Sequence, residues 1–296
     1  MKPSHRHPNG VRSRTRRGAV VLLSFDATFR RSAVVWFTAL LACSLLVVGL
    51  GVTLVHEREK SHRLAELRAG EQGIVVAQHG AIRERLTLIR SDLLFLRDEY
   101  ESVLEAGHGD AHLAAAEISK RYRNFSRSRE AYDEIRIIDA AGREAVRINH
   151  NGGSPIAVGE NQLQDKSDRP YVAHMRSLEY EEIYVSALDL NIDNDAIMTP
   201  YRPTIRLATP VGTPGNAPAA SVILNYLATP MLRSVEEAAE LSSGEPMLLN
   251  SEGYWLVSSD PLQNWGFMFP DRNDRRIQTK YPHTWAAAKL ATSGQV

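Results

Sequence analysis

The stretch that decides the fold is Tyr132 to Asn149, which reads YDEIRIIDAAGREAVRIN. Aromatic and β-branched residues recur in its first eight positions, as is typical of a β-strand. Residues 140–143 (AAGR) form a turn, and residues 144–149 (EAVRIN) complete a β-hairpin. In the second strand, Val146 and Ile148 alternate with Ala, Arg and Asn, which predicts that one face of the hairpin is buried.

Further strands follow the hairpin, separated by loops rich in Asn, Asp, Gly and Pro. A helix is predicted among them at Asp165 to Leu178, with Ser167 or Asp168 as its cap and Pro170 in its first turn. The predicted strands are Pro155 to Val158, Glu182 to Asp189, Thr204 to Pro210 and Ala220 to Tyr226. Strands behind long helices indicate an α+β fold with an antiparallel sheet.

A long helix is predicted before the hairpin, from His56 to Ala106, followed by a second helix from about Asp110 to Ser128. The first helix carries a coiled-coil-like apolar seam with steps of four and three residues. The seam consists of Ile82, Leu86, Ile89, Leu93, Leu96, Tyr100 and Val103. Two partners fit such a seam: the same helix of a second subunit, giving a homodimer through residues 82–103, or the body of its own domain.

Ser32 to Val55 is a run of 24 residues without a charge. About 20 apolar residues cross a bilayer core as a helix, so the run predicts a single transmembrane helix. A cleaved signal peptide is the alternative, but its apolar region is usually shorter, about 7 to 15 residues. Residues 1–31 have a net charge of +7 and the rest of the chain −7. The positive-inside bias therefore predicts a cytoplasmic tail and residues 56–296 outside, in the periplasm.

The overall formal charge of zero argues against a strongly basic nucleic-acid binder. Cys43 is the only cysteine, so an intrachain disulfide is impossible. The acidic loop that follows residue 188 lacks the glycine and glutamate of an EF-hand, and His108 and His112, four residues apart, have no third zinc ligand near them. No catalytic machinery, metal site or cofactor is therefore expected.

The last part of the chain repeats the logic of the opening hairpin. A connecting helix is predicted at Leu227 to Leu241, followed by two strands at Glu245 to Ser251 and Tyr254 to Ser258. A helix near Thr284 to Ala291 comes next. The later strands of this second module are absent from the sequence, so we expect the chain to be a fragment or a receptor without its output.

This order of elements resembles the extracytoplasmic double-Cache, or tandem PAS-like, sensor domains of bacterial membrane receptors, of the histidine kinase and diguanylate cyclase type. The segments YDEIRIIDAAGREAVRIN, LQDKSDRPYVAHM, EIYVSALDLN, RPTIRLATPV, VILNYL and LLNSEGYWLVSSDP are similar to successive parts of that family. The resemblance implies helices over 56–128, a membrane-distal module over 129–226, and a connecting helix with a partial second module over 227–296. The basic tail (1–31) and the transmembrane helix (32–55) precede them.

The resemblance also implies a ligand site. In relatives that bind amino acids, an Arg-x-aromatic pair on the pocket helix holds the ligand carboxylate, and Arg169-Pro170-Tyr171 fits that pair. A guanidinium suits this task because its fork of donors matches a carboxylate. The other candidate ligand-binding residues are Tyr184, Ser186, Asp189, Tyr201, Arg206 and Asn225.

The function expected from these features is sensing. We expect a receptor part that binds an organic acid or amino acid and signals through the membrane helix of the inner membrane. Two alternatives remain open: a membrane-anchored dimeric scaffold without a ligand, and the sensor fragment of a histidine kinase or diguanylate cyclase. In each case this chain is itself not an enzyme.

Overall fold

A computed structural model describes residues 27–107, 109–150, 152–193, 196–242, 244–245 and 247–290. These residues belong to two compact units, one ending at Ala65 and one beginning at Glu66. Most of the predicted basic tail, residues 1–26, and the last residue of the final predicted helix, Ala291, lie outside the described residues.

The first helix, α1, runs without interruption through Ala27–Ala106. It contains no proline, so every backbone N–H beyond the first turn is free to bond within the helix. It includes the uncharged run that was predicted to cross the membrane. By length and composition alone, α1 is the single candidate membrane-spanning helix among the described residues.

The second helix, α2, spans Ala111–Arg129, close to its predicted limits. Asp110 caps its start, because the carboxylate accepts hydrogen bonds from the backbone N–H groups of His112 (2.9 Å) and Leu113 (3.1 Å). Glu130 ends the helix in the left-handed conformation, with a φ of 48°.

The domain after α2 is built on a seven-stranded antiparallel sheet. In chain order its elements are β1 (Tyr132–Asp139), β2 (Glu144–Asn149), β3 (Ile156–Ala157), α3 (Pro170–Met175), β4 (Tyr184–Val185), β5 (Asp189–Leu190), the separate hairpin β6 (Ile192–Asp193) and β7 (Ala196–Ile197), β8 (Pro203–Val211) and β9 (Ala220–Leu227). The strand order is β3-β2-β1-β9-β8-β4, and β5 pairs with another part of β8. The hairpin predicted from residues 132–149 is confirmed residue for residue.

One face of the sheet and the helices α1 and α2 share the main apolar core. From the hairpin, Ile137 and Val146 lie opposite each other and belong to this core, as do Ile135 and Ile148. The predicted buried face of the hairpin is therefore present. The intervening residues of each strand point to the opposite face, because side chains alternate along a strand.

The apolar seam of α1 packs into this same core. Leu93 and Leu96 are fully buried, Ile89, Tyr100 and Val103 are nearly so, and Ile82 and Leu86 are partly buried. The sequence left two partners open for this seam. In the structure the seam contacts the body of its own domain. The buried seam positions are not available to a second copy, so a homodimer would have to use other faces of α1.

The predicted pocket helix is shorter than expected. The segment from Asp165 to Arg169 is not helical, and α3 begins only at Pro170. The Asp165 carboxylate accepts from the Ser167 N–H (2.8 Å), which stabilises a turn instead of a helix. Arg169, and not Ser167 or Asp168, is the N-cap, since a residue before proline favours an extended backbone.

The strand predicted over Glu182 to Asp189 is split into β4 and β5. At the break, the Ser186 hydroxyl accepts from the Arg206 backbone N–H (2.9 Å). This hydroxyl takes a place that a backbone carbonyl would hold in a continuous ladder, so regular pairing stops there.

The C-terminal elements are α4 (Thr229–Glu240), β10 (Leu248–Leu249), β11 (Trp255–Val257), α5 (Ile277–Lys280) and α6 (Pro282–Ala288), with short 3-10 turns between β11 and α5. Strands β10 and β11 form the predicted second hairpin. Leu256, Val257 and Trp265 join the main apolar core, so this segment packs on the same domain.

Truncation of the seam tests this packing. Leu93→Ala should lower the free energy of unfolding by about 2–5 kcal/mol, because it removes buried methyl groups and leaves a cavity. Leu88→Ala is the matched control on the same helix: Leu88 is 53% exposed, whereas Leu93 is 0% exposed. Its effect should stay within about 0.5 kcal/mol. Denaturant unfolding of the two variants measures both values, and equal losses would contradict the packing.

Candidate functional site

The candidate site lies on the face of the sheet that is turned away from the main core. Part of this face is closed by α3, where Val172 and Met175 pack on Ile138, Ala208 and Ile223 in a second apolar cluster. Beside it is a polar cavity of about 350 Å³. Its lining residues are Glu134, Arg136, Arg147, Asn149, Gln162, Gln164, Lys166, Asn191 and Ile192.

One wall of the cavity is the loop before α3, which the hairpin holds in place. The Glu144 N–H donates to the Gln164 carbonyl (3.0 Å), and the Lys166 N–H donates to the Gly142 carbonyl (2.9 Å). Gly142 has a φ of +93°, and a Cβ there would lie 2.6 Å from the Ser167 Cα. Only glycine allows both this turn and this close approach.

The floor of the cavity is a chain of buried ion pairs on the hairpin. Arg136 Nε lies 3.2 Å from Glu144 Oε1, and Arg147 Nη1 lies 2.9 Å from Glu144 Oε2. Arg136 also pairs with Glu134, which accepts a hydrogen bond from Asn225 Nδ2 (2.7 Å). Two arginines and two glutamates therefore neutralise each other, which buried charges require.

A second charged network lies at the β5–β8 side. Arg206 Nη1 contacts Asp189 Oδ1 at 2.7 Å, and its other terminal nitrogen donates to Asn191 Oδ1 (3.4 Å). Asn191 in turn donates to Asp133 Oδ2 (3.2 Å), and Asp133 pairs with Arg202. Burial raises the pKa values of Asp133 and Asp189, although the neighbouring arginines oppose the rise.

Several polar groups of the cavity lack partners within the described part of the chain. Asn149 Oδ1 is buried and accepts no hydrogen bond, and Arg147 Nε is buried and donates none. Lys166 forms no ion pair there; burial, then the charge of Arg136, lowers the pKa of its ammonium group. Buried polar groups normally have partners, so a polar cavity with unused ones is suited to a ligand.

The structure brings several of the predicted site residues to this face. Asn225 reaches the ion-pair floor through Glu134, and Arg206 and Asp189 border the cavity through Asn191. Tyr171 packs on the second apolar cluster. Burial raises its pKa, and the charges of Arg136 and Arg206 oppose the rise.

Other predicted site residues have different surroundings. Arg169 is at the start of α3, with Nε 4.0 Å from Asp168. Tyr184 packs on the second apolar cluster, and its ring centre is 5.2 Å from that of His174. The Ser186 hydroxyl is engaged with backbone groups. Tyr201 is 46% exposed and contacts Phe269 of the C-terminal segment, with ring centres 5.8 Å apart.

Sequence reasoning missed the residues that form the floor and the loop wall: Glu134, Arg136, Glu144, Arg147, Asn149, Gln162, Gln164 and Lys166. A signal was present. Glu134 and Arg136 on β1, and Arg147 and Asn149 on β2, occupy alternate positions opposite the apolar face, and strand pairing places them side by side on one surface. Among the described residues, no group of three or more His, Cys, Asp or Glu side chains is placed to hold a metal ion.

A model of the family described as bacterial histidine kinase, sensor domain, matches residues 99–296, which is more than half of the chain. The chain therefore belongs to the family of bacterial histidine kinase sensor domains. The match identifies an extracytoplasmic-type sensor domain of signalling receptors, and its description names no catalytic domain. A search of curated protein sequences found no match.

Solved structures share the fold. A domain of a sensory box/GGDEF family protein from Vibrio parahaemolyticus is 20% identical with a TM-score of 0.52, and the match covers 72% of this chain and 84% of that one. The ligand-binding domain of the Campylobacter jejuni chemoreceptor Tlp3, in complex with L-valine, is 9% identical with a TM-score of 0.51, covering 68% and 74%. At such identities the likeness establishes the fold alone.

The ion-pair floor generates a stability prediction. Arg136→Met should destabilise the fold by about 3 kcal/mol or more, because it leaves buried carboxylate charge without its partner. Arg136 is 9% exposed and Glu144 is 0% exposed. Arg143→Met, in the turn of the same hairpin, is the control: its pair with Asp139 is largely exposed, so the loss should be about 0–1 kcal/mol. Urea denaturation distinguishes them; a mild Arg136 effect would contradict a buried floor.

Proposed function

We propose that this chain is the sensing part of a bacterial membrane receptor and that it binds a small organic acid or amino acid on the outer face of the sheet. The observation that carries the proposal is the polar cavity beside α3, with its neutralised floor and with donors and acceptors that have no partner among the described residues. A cavity of about 350 Å³ falls within the range of small-molecule sites.

The proposed site combines residues of the resemblance with residues of the cavity. Tyr171, Asp189, Arg206 and Asn225 contribute from the side of α3, β5, β8 and β9. Arg169, Tyr184 and Ser186 belong to the same proposal as residues at the cavity margin. Tyr201 is the most peripheral member, because its ring packs on the C-terminal segment.

The proposal includes an arrangement in the inner membrane. Residues 32–55 cross it, residues 1–31 are cytoplasmic, and residues 56–296 are outside. The support is the candidate membrane-spanning helix and the basic charge before it. In the same proposal, residues 56–296 comprise helices (56–128), a membrane-distal module (129–226) and a connecting helix with a partial second module (227–296).

Signalling is proposed to pass from the cavity to α1 through β1. Glu134 lines the cavity, and two residues earlier the Tyr132 hydroxyl donates to Asp92 of α1 (2.6 Å). Burial and this hydrogen bond raise the pKa of Tyr132, so the hydroxyl stays a donor. Asp92 also pairs with Arg129 of α2 (3.1 Å). A ligand that moves β1 therefore acts on α1 through a direct side-chain contact, provided that it binds two arrangements differently.

A homodimer belongs to the same proposal, with a changed interface. The seam is occupied by the domain itself, but Val75 and Val76 of α1 are largely exposed and apolar. These positions, outside the buried seam, are where we expect two copies of α1 to meet.

A thermal-shift screen of organic acids and amino acids on the full chain tests ligand binding. At least one compound should raise Tm, and Arg169→Ala should reduce that shift by half or more. Arg176→Ala at the other end of α3 is the control, because its side chain bonds the Ala140 carbonyl (3.1 Å) outside the cavity. If no compound shifts Tm, the sensing function is wrong; if Arg169→Ala keeps the full shift, Arg169 is not a ligand contact.

Removal of the Tyr132 hydroxyl tests the coupling. Tyr132→Phe should keep ligand affinity within about threefold, because the side chain faces α1 and not the cavity. Loss of the hydrogen bond to Asp92 should, however, weaken the coupling between the cavity and α1. Disulfide cross-linking of a Val76→Cys variant, with Cys43 replaced by serine, measures the arrangement of two copies. Ligand should change the cross-linking rate when Tyr132 is present, and it should not change the cross-linking rate when Tyr132→Phe is added to the same variant. An equal ligand response in both would contradict this route.

A further inference from the structure

Among the described residues that line the cavity, the charges leave one cation over. Arg136 and Arg147 are balanced by Glu134 and Glu144, as the ion-pair distances show. Lys166 enters from the loop wall and forms no ion pair in the part of the chain that the structure describes. The partial burial that lowers its pKa makes an unpaired ammonium group costly there. An anionic group on the ligand would supply the missing charge.

The remaining wall groups are amides. Gln162 and Gln164 line the cavity, and among the described residues their side chains form no hydrogen bonds. Asn149 adds a buried amide oxygen that accepts no hydrogen bond from the described residues. A side-chain amide offers both donors and an acceptor, so it matches a hydroxyl group, which also donates and accepts. Three such amides around one cavity suit a ligand with several hydroxyls.

Apolar contact is scarce in the same cavity. Among the described residues that line it, Ile192 is the only apolar one. A branched aliphatic side chain would remove water from amides and charged groups without replacing their hydrogen bonds, which is unfavourable. The cavity is thus poorly matched to valine, the ligand in the complex of the Campylobacter jejuni domain.

We propose that the cavity binds a small polyhydroxy monocarboxylate, such as a sugar acid, with its carboxylate on Lys166 and its hydroxyls on Gln162, Gln164 and Asn149. The inference rests on the proposed ligand-sensing function and names the ligand class of that site. Lys166 sets the preference for an acid over a neutral sugar, and the amide wall sets the preference for hydroxyls over methyl groups.

Isothermal titration calorimetry on the full chain in lipid nanodiscs tests the proposal. The probes are D-glucuronate, D-glucose, which lacks the carboxylate, and L-valine. D-glucuronate should bind at least tenfold more tightly than D-glucose, and L-valine should not bind. Lys166→Met should weaken D-glucuronate binding by about 10- to 100-fold, because a charged hydrogen bond is lost, and should erase the preference over D-glucose. Lys166→Arg, which keeps the charge, should retain that preference.

The outcomes separate the ligand class from the sensing function. If D-glucuronate fails to bind while another compound of the thermal-shift screen does, the ligand class is wrong and sensing stands. The same holds if D-glucuronate binds equally well to Lys166→Met, or if L-valine competes with it. If no compound of either set binds, both fail. The Tm of unliganded Lys166→Met should match or exceed that of the parent chain, since Lys166 forms no ion pair with the described residues; a large drop would also count against the proposal.

Discussion

The architecture of the site depends on one constraint: two arginines and two glutamates are buried on one face of a hairpin and must neutralise each other. Glu144 is the centre, because each of its oxygens lies near a different arginine. Its backbone N–H also bonds the Gln164 carbonyl, and its carboxylate accepts from the Gln164 N–H at 3.0 Å. The charges thus hold the loop wall as well as the floor. Without this balance the cavity would lose both surfaces at once.

The opposite face of the same strands obeys a different requirement. There the sheet, α1 and α2 exclude water from a continuous apolar core. The two requirements meet in β1, where the pairing with β9 shifts register between Tyr132 and Glu134, so that residues two apart serve different faces. Tyr132 reaches Asp92 on the helix side, and Glu134 reaches the cavity. The residue that contacts α1 and the residue that lines the cavity are therefore only two positions apart in this strand, which is why a signal through β1 needs no long pathway.

Local patterns predicted most of the fold. The hairpin over residues 132–149 has strong alternation and a glycine turn, and both strands lie where expected. The predicted start of the pocket helix was wrong, because the Asp165 carboxylate bonds the Ser167 N–H and so stabilises a turn where the helix was expected. The seam of α1 shows a general limit of sequence patterns. A heptad pattern predicts that one face of a helix is buried, but it does not identify what buries it. For the site, the family resemblance predicted ligand contacts on α3. It did not predict Arg136 and Arg147, because these residues lie on different strands and only strand pairing brings them together.

The alternation of faces also has an evolutionary consequence. Along β1 and β2, a substitution on the cavity face leaves the apolar core untouched, so ligand preference is free to drift while the fold persists. Lys166 and the glutamines of the loop are the most changeable positions, since their side chains form no ion pair or hydrogen bond with the described residues. The least changeable positions are Arg136, Arg147 and Glu144, because replacing any one of them leaves a buried charge without its partner. Relatives with new ligands should therefore differ first in the loop wall, and replace the floor only through paired substitutions.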